Sequence, residues 1–207
     1  MRRVGYTLKV NSFLSEVRHL TTVIANRTVA HPAVFYGSSS IRMWTTLSKD
    51  LGRSDVLNTG FGGSTLEACV VMFERLVVAA EPRSVVLYAG ENDLGEGRSP
   101  EEVLESFRDL ARKARALIPG TPVSFISIKP SPFRASLIGL VRQTNALIMD
   151  DISDLDDFSY IDVFYEMLDH NGYARADLFL EDGLHMNASG YRLWTEIVRQ
   201  HRHLIFD

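Results

Sequence analysis

Apolar runs of strand length alternate along this chain with segments whose apolar residues recur at spacings of three and four. Phe13, Leu14, Val17, Leu20 and Ile24 form the first such stripe, which predicts an amphipathic helix. Residues 33–36, Ala-Val-Phe-Tyr between Pro32 and Gly37, predict a buried strand. Residues 41–50 then predict a helix, and 56–58 a short second strand. Leu66, Cys69, Val70, Phe73, Leu76 and Val77 lie on one face of the next helix. Residues 85–89 are continuously apolar, as a strand covered on both faces would be. Ser99 and Pro100 suit the N-cap and first position of a helix whose inner face is Val103, Leu104, Phe107, Leu110 and Ala114. A fourth strand is expected over 123–128, a helix over 136–152 and a fifth strand over 160–163. The last helix starts near Ala188 and turns Tyr191, Trp194, Ile197 and Val198 inward.

Five strands alternating with helices predict an α/β fold: one doubly wound, flavodoxin-like, three-layer α/β/α domain around a five-stranded parallel sheet, with right-handed crossovers. No repeat, low-complexity tract or Pro/Gly-rich linker divides the chain, so residues 1–207 are expected to form a single domain, with 1–30 a helical segment packed on it.

Composition narrows the function classes. The 207 residues are 45% apolar and 23% charged, near the globular average, which argues against disorder. The net charge is -4 with both signs interspersed, and no basic run offers a nucleic-acid footprint. No apolar stretch approaches the roughly 18 residues a membrane span needs. The opening MRRVGYTLKVNSFL lacks a long apolar block and a small-residue cleavage pattern, so no secretory signal is expected and the expected compartment is the cytoplasm. Cys69 is the single cysteine, which excludes an intrachain disulfide and a cysteine-based zinc site; its apolar surroundings predict burial.

In doubly wound sheets, ligands gather beyond the carboxyl ends of the strands, where strand order reverses. Four loops meet that condition, at 37–40, 58–64, 90–97 and before the last helix. In the first, Gly37 permits a sharp turn into Ser38-Ser39-Ser40, where a hydroxyl near a helix N-terminus meets unpaired N–H groups that favour an anion. The same serines would also serve as helix caps. In the second, Gly60, Gly62 and Gly63 allow successive N–H groups to converge on one anion, or simply make a tight turn. In the third, Asn92 can donate a side-chain hydrogen bond into the cleft while Asp93 braces the loop. In the fourth, His185 follows Asp182 by three residues, so that the carboxylate can hold one ring nitrogen and leave the other to act as a base. His19, His31, His170, His201 and His203 lack that combination and are expected on the surface or in packing. Together the four loops supply a nucleophile, a base, an orienter and oxyanion donors, the full set for acyl transfer.

These residues resemble the SGNH hydrolases, the GDSL lipase/esterase family. Residues 36–41, Tyr-Gly-Ser-Ser-Ser-Ile, are similar to the family's nucleophile block, with Ser38 where the family usually carries Asp. Residues 58–63 are similar to the second block, Gly90-Glu-Asn-Asp93 to the Gly-x-Asn-Asp block, and Asp182-Gly-Leu-His185 to the closing Asp-x-x-His block, all in family order. The resemblance implies a serine ester hydrolase acting on small acyl esters. It implies Ser39 as nucleophile in preference to Ser38 or Ser40, His185 as base and Asp182 as its orienter. The oxyanion donors it implies are the N–H groups of Ser39 and Gly63 and the amide of Asn92. No metal or cofactor is required, the partner is a small-molecule ester, and a homo-oligomer is compatible with the chain. Phe61, Leu94 and residues 129–133 are expected to line the pocket. Two other readings compete: a phosphate- or flavin-binding module, which leaves Asp182 and His185 idle, and an inactive relative that only binds.

Overall fold

The computed structural model describes residues 13–207. Residues 1–12, on which the expectation about a leader rests, lie outside the described residues.

Helix α1 (Leu14–Ala25) leads into β1 (Ala33–Gly37), followed by the short α2 (Ser39–Arg42), α3 (Leu47–Leu51) and β2 (Val56–Asn58). Next come α4 (Leu66–Leu76), β3 (Ser84–Tyr88), the short α5 (Glu91–Gly95), α6 (Pro100–Leu117) and β4 (Val123–Ile126). A 3-10 turn (Pro132–Leu137), α7 (Ile138–Ser153), β5 (Phe158–Ile161), two further 3-10 turns, α8 (Ala188–Gln200) and α9 (Arg202–Ile205) complete the chain. All five strands are parallel, in the order β2-β1-β3-β4-β5. That is the doubly wound, three-layer arrangement the alternation predicts.

Alternate side chains of each strand enter opposite layers, as the two-residue period of a strand requires. Val34, Tyr36, Val85, Leu87, Val123 and Phe125 pack with α1, α4, α6 and α7. Ala33, Phe35, Val86, Tyr88 and Ile126 pack with α3, α8 and α9 on the other side. The central strands β1, β3 and β4 are buried along their whole length, which explains their largely apolar runs. Helix α6 carries the expected capping box: Ser99 Oγ accepts from Glu102 N–H, and the Glu102 carboxylate accepts from Ser99 N–H. Cys69 is buried, as its neighbours suggest.

Four boundaries differ from the periodicity, each for a local reason. The helix expected over 41–50 breaks into α2 and α3 because Trp44 turns inward between Phe35, Tyr191 and Trp194, its indole N–H bonded to Asp50 Oδ2 at 2.9 Å. Strand β4 stops at Ile126, and two residues later Asn145 takes both the N–H and the C=O of Ile128 at 2.8 Å each. Strand β5 lies at 158–161 because Phe158 and Ser159 pair with Val123 and Ser124, after which Asp162 caps the turn by accepting from Phe164 N–H. Residues 91–95 form helix α5 where only a loop is expected.

Chain order reverses between β1 and β3, and there the two backbones approach closely. Gly37 has φ +135°, and a Cβ on it would lie 1.9 Å from the Tyr88 carbonyl oxygen. Only glycine lets β1 end against β3 in this way. Ser38 N–H then donates to Tyr88 O at 2.9 Å, so the serine loop begins at the switch point.

Candidate active site

The serine loop turns at once into α2, with Ser38 in the N-cap position. Its side chain makes no capping hydrogen bond, so capping does not account for the three serines. Ser38 and Ser40 are buried, whereas Ser39 keeps partial exposure. Of the three serines, Ser39 is the most exposed.

The second loop lies against the first. Phe61 N–H donates to Gly37 O at 2.9 Å, and Asn58 Nδ2 donates to Ile41 O at 2.6 Å. Gly60 packs so tightly on α2 that a Cβ there would lie 2.4 Å from Arg42 N. At Gly62, the N–H donates to the Glu16 carboxylate of α1 at 2.7 Å. Gly63, with φ +68°, is exposed. Among the described residues, no acceptor takes the N–H of Gly63 or of Ser39. Glycine is needed at 63 because an L side chain is strained at that φ.

The third segment follows β3. Asn92 donates through Nδ2 to Ser64 O at 3.0 Å, which joins this segment to the second loop. Asp93, expected to brace its own loop, accepts from Leu66 N–H at 2.9 and 3.2 Å and so holds the start of α4. Glu91 is buried, and its carboxylate accepts from Lys129 Nζ at 2.7 Å, Ser131 Oγ at 2.8 Å and Tyr88 OH at 3.1 Å. Burial pushes the Lys129 ammonium below the ordinary lysine range even with that carboxylate beside it. Taking both charges of such a pair out of water offsets much of their mutual attraction. The pair's evident effect is positional, because Lys129 Nζ also donates to Leu184 O at 2.9 Å and thereby ties the third segment to the fourth.

That fourth segment is a closed loop ahead of α8. Leu180 N–H donates to His185 O at 2.8 Å, and Asn187 caps α8 by accepting from the N–H groups of Ser189 and Gly190. Inside the loop, Asp182 Oδ1 accepts from the backbone N–H of Leu184 and of His185, both at 2.9 Å. Its other oxygen, Oδ2, lies 2.7 Å from His185 Nδ1. An ionised carboxylate only accepts, so Nδ1 carries a proton, and in the neutral ring the lone pair is then on Nε2. Those three donors, the His185 ring first, hold the Asp182 carboxyl at about 2. His185 is half-buried, and no described residue engages its Nε2. One residue after Gly190, helix α8 returns to the serine loop: Tyr191 OH donates to Ser40 O at 3.0 Å across 151 residues of sequence.

The loops that carry Ser39, Gly63, Asn92 and the Asp182–His185 pair are thus tied to one another, the third to the fourth through Lys129, and among the described residues no hydrogen bond joins Ser39 to His185. The expected pocket wall needs correcting. Phe61 is fully buried against the rings of Phe13 and Tyr36, and Leu94 is buried in the same core, so neither faces a ligand. Lys129 is also buried, while Phe133 is exposed and its N–H donates to Gly183 O at 3.0 Å. The other histidines are exposed, apart from the half-buried His201. Sequence reasoning missed Glu16, Glu91, Lys129 and Arg134 as site-building residues. For Glu91 and Lys129 a signal existed, since each is a charged residue just past a buried strand; Glu16 and Arg134 offered none.

Residues 29–193 match the GDSL-like Lipase/Acylhydrolase family. No curated protein matches the chain. Among solved structures, a GDSL-like lipase from Bacteroides thetaiotaomicron VPI-5482 is 20% identical, with a TM-score of 0.75 over 90% of this chain and 97% of that one. The lipase/acylhydrolase from Enterococcus faecalis is 20% identical, with a TM-score of 0.64 over 82% and 93%. A family 3 carbohydrate esterase from Clostridium thermocellum is 16% identical, with a TM-score of 0.65 over 82% and 94%. At such identities the structural likeness is one of fold, and the family match carries the assignment. The chain belongs to the GDSL-like lipase/acylhydrolase family, a family of ester-bond hydrolases.

Proposed function

We propose that this protein is a serine ester hydrolase for small acyl groups, acetyl or short-chain, working through Ser39, His185 and Asp182. The observation that carries the reading is the Asp182–His185 pair at 2.7 Å, which fixes the tautomer and leaves Nε2 as a base. The partial exposure of Ser39 between two buried serines supports it as the nucleophile. The uncommitted N–H groups of Ser39 and Gly63, with the second amide hydrogen of Asn92, suit an oxyanion.

In this mechanism His185 Nε2 takes the proton of Ser39 Oγ as the oxygen attacks the ester carbonyl. The three donors receive the oxyanion, and Asp182 stabilises the imidazolium without taking its proton. His185 protonates the leaving alcohol, then draws a proton from water as that water attacks the acyl-enzyme. A small acyl group fits a chain without a large lid insertion. Solved structures of similar fold include an acetyl xylan esterase and the carbohydrate esterase above.

The test is hydrolysis of p-nitrophenyl acetate, butyrate and octanoate, with Ser39→Ala alongside. The expected result is preference for the shorter esters and a loss on the order of a millionfold in turnover in the variant. Hydrolysis that survives Ser39→Ala overturns the mechanism, and a preference for octanoate overturns the substrate class.

A further inference from the structure

Arg134 lies in the 3-10 turn after β4, 42 residues from Asn92 in sequence, and the mechanism above makes no use of it. Its guanidinium Nη2 donates to Asn92 Oδ1 at 3.0 Å, and its Nη1 donates to the Glu91 carbonyl at 2.8 Å. Nη1 also lies 3.5 Å from the buried Glu91 carboxylate, whose nearer cation is Lys129 at 2.7 Å. The Asn92 amide is thus gripped at both ends: oxygen by Arg134, one amide hydrogen by the Ser64 carbonyl.

That grip selects one of the two amide orientations. In the flipped state, Oδ1 would face the Ser64 carbonyl oxygen and the NH2 group would face the guanidinium. Two attractive contacts would become two repulsive ones. The cation at the oxygen also draws electron density from the amide, which strengthens its remaining N–H as a donor.

A second feature shows that the seat of Arg134 is shaped for it. Gly95 ends α5 without a positive φ, so its conformation alone does not call for glycine. A Cβ there would lie 2.7 Å from Arg134 Cζ and 2.8 Å from both Nε and Nη2. The side chain is absent where the guanidinium rests.

We infer that Arg134, seated on Gly95, is a positioning residue for the oxyanion donor Asn92. This rests on the proposed function, in which Asn92 receives the oxyanion. The guanidinium is the movable end of a flexible side chain, so a methyl at 95 displaces it without breaking the backbone. Gly95→Ala therefore perturbs the contact from the opposite side, at a helical position where alanine is intrinsically favoured.

The test compares Arg134→Met, Arg134→Lys, Gly95→Ala and Asn92→Ala, and each of the first three combined with Asn92→Ala, on p-nitrophenyl acetate. Arg134→Met and Gly95→Ala are expected to lower kcat roughly tenfold to a hundredfold, less than removal of the donor itself, with KM nearly unchanged. Arg134→Lys keeps the charge and loses the fork, so its loss is smaller. In the Asn92→Ala background all three lose nearly all of their effect, because the group they position is gone. Gly95→Ala keeps the thermal midpoint of the wild type, which separates misplacement from misfolding. Wild-type kcat in Gly95→Ala, or undiminished losses in the Asn92→Ala background, overturns the inference. Turnover surviving Ser39→Ala instead overturns the proposed nucleophile, a distinct result.

Discussion

Lys129→Met isolates the cost of a buried charge left without its partner. The Lys129 side chain is fully buried and that of Glu91 is 8% exposed, so neither can turn to water. Methionine fills much of the lysine stem's volume, which limits any cavity. Removing one member of a buried ion pair costs about 3–5 kcal/mol. Glu91 keeps its bonds from Ser131 and Tyr88 and the nearby Arg134, which places the electrostatic loss at the lower end, about 3 kcal/mol. The Leu184 carbonyl also loses its donor, at about 1 kcal/mol. A total of about 4 kcal/mol corresponds to a fall in Tm of roughly 8–16 °C for a domain of this size. Urea unfolding followed by circular dichroism measures the first quantity and a thermal melt the second. Adding Glu91→Gln to Lys129→Met removes the stranded charge and should recover most of the loss. A single variant within about 1 kcal/mol of wild type would refute the reasoning. So would a double variant no more stable than the single one, since the loss would then come from packing.

Four further outcomes are expected. Asn92→Ala should reduce turnover by roughly a hundred- to a thousandfold, far less than Ser39→Ala, and equal severity in steady-state assays would contradict their roles. Asp182→Asn should lower kcat by about ten-thousandfold through the wrong imidazole tautomer. The Asp182 carboxyl is held at about 2, below its ordinary 3.8. Its contribution to stability is therefore present above 3.8 and lost as pH falls through about 2, so acid unfolding should be shallower in Asp182→Asn. Burial pushes the Cys69 thiol up to about 12, so a thiol reagent at pH 8 should label the protein only after unfolding; rapid labelling of the native state would place Cys69 elsewhere.

The fold was legible because its signals are local. A strand covered on both faces must be apolar throughout, as β1 and β3 are, and a helix against a sheet must carry a stripe, as α6 does. The errors fell where a distant side chain overrode that local pattern. Trp44 falls within the helix expected over 41–50, yet the rings of Tyr191 and Trp194 draw it inward and the helix breaks. Topology puts Phe61 in a loop at the carboxyl edge, as a pocket wall would be, but Phe13 and Tyr36 enclose it.

The sequence by itself determined the succession of strands and helices, and which four loops hold hydroxyl, glycine, amide and Asp-His chemistry. It also determined the Asp182–His185 pair, whose partners stand three residues apart within one turn. Tertiary structure alone decided the strand order, the burial of Ser38 and Ser40 around Ser39, and the joining of the loops by Glu91, Lys129, Arg134 and Glu16. Periodicity reports which side of an element is covered, but not what covers it. The bonds that build this site close over separations such as 38, 42 and 151 residues, where no local spacing rule operates.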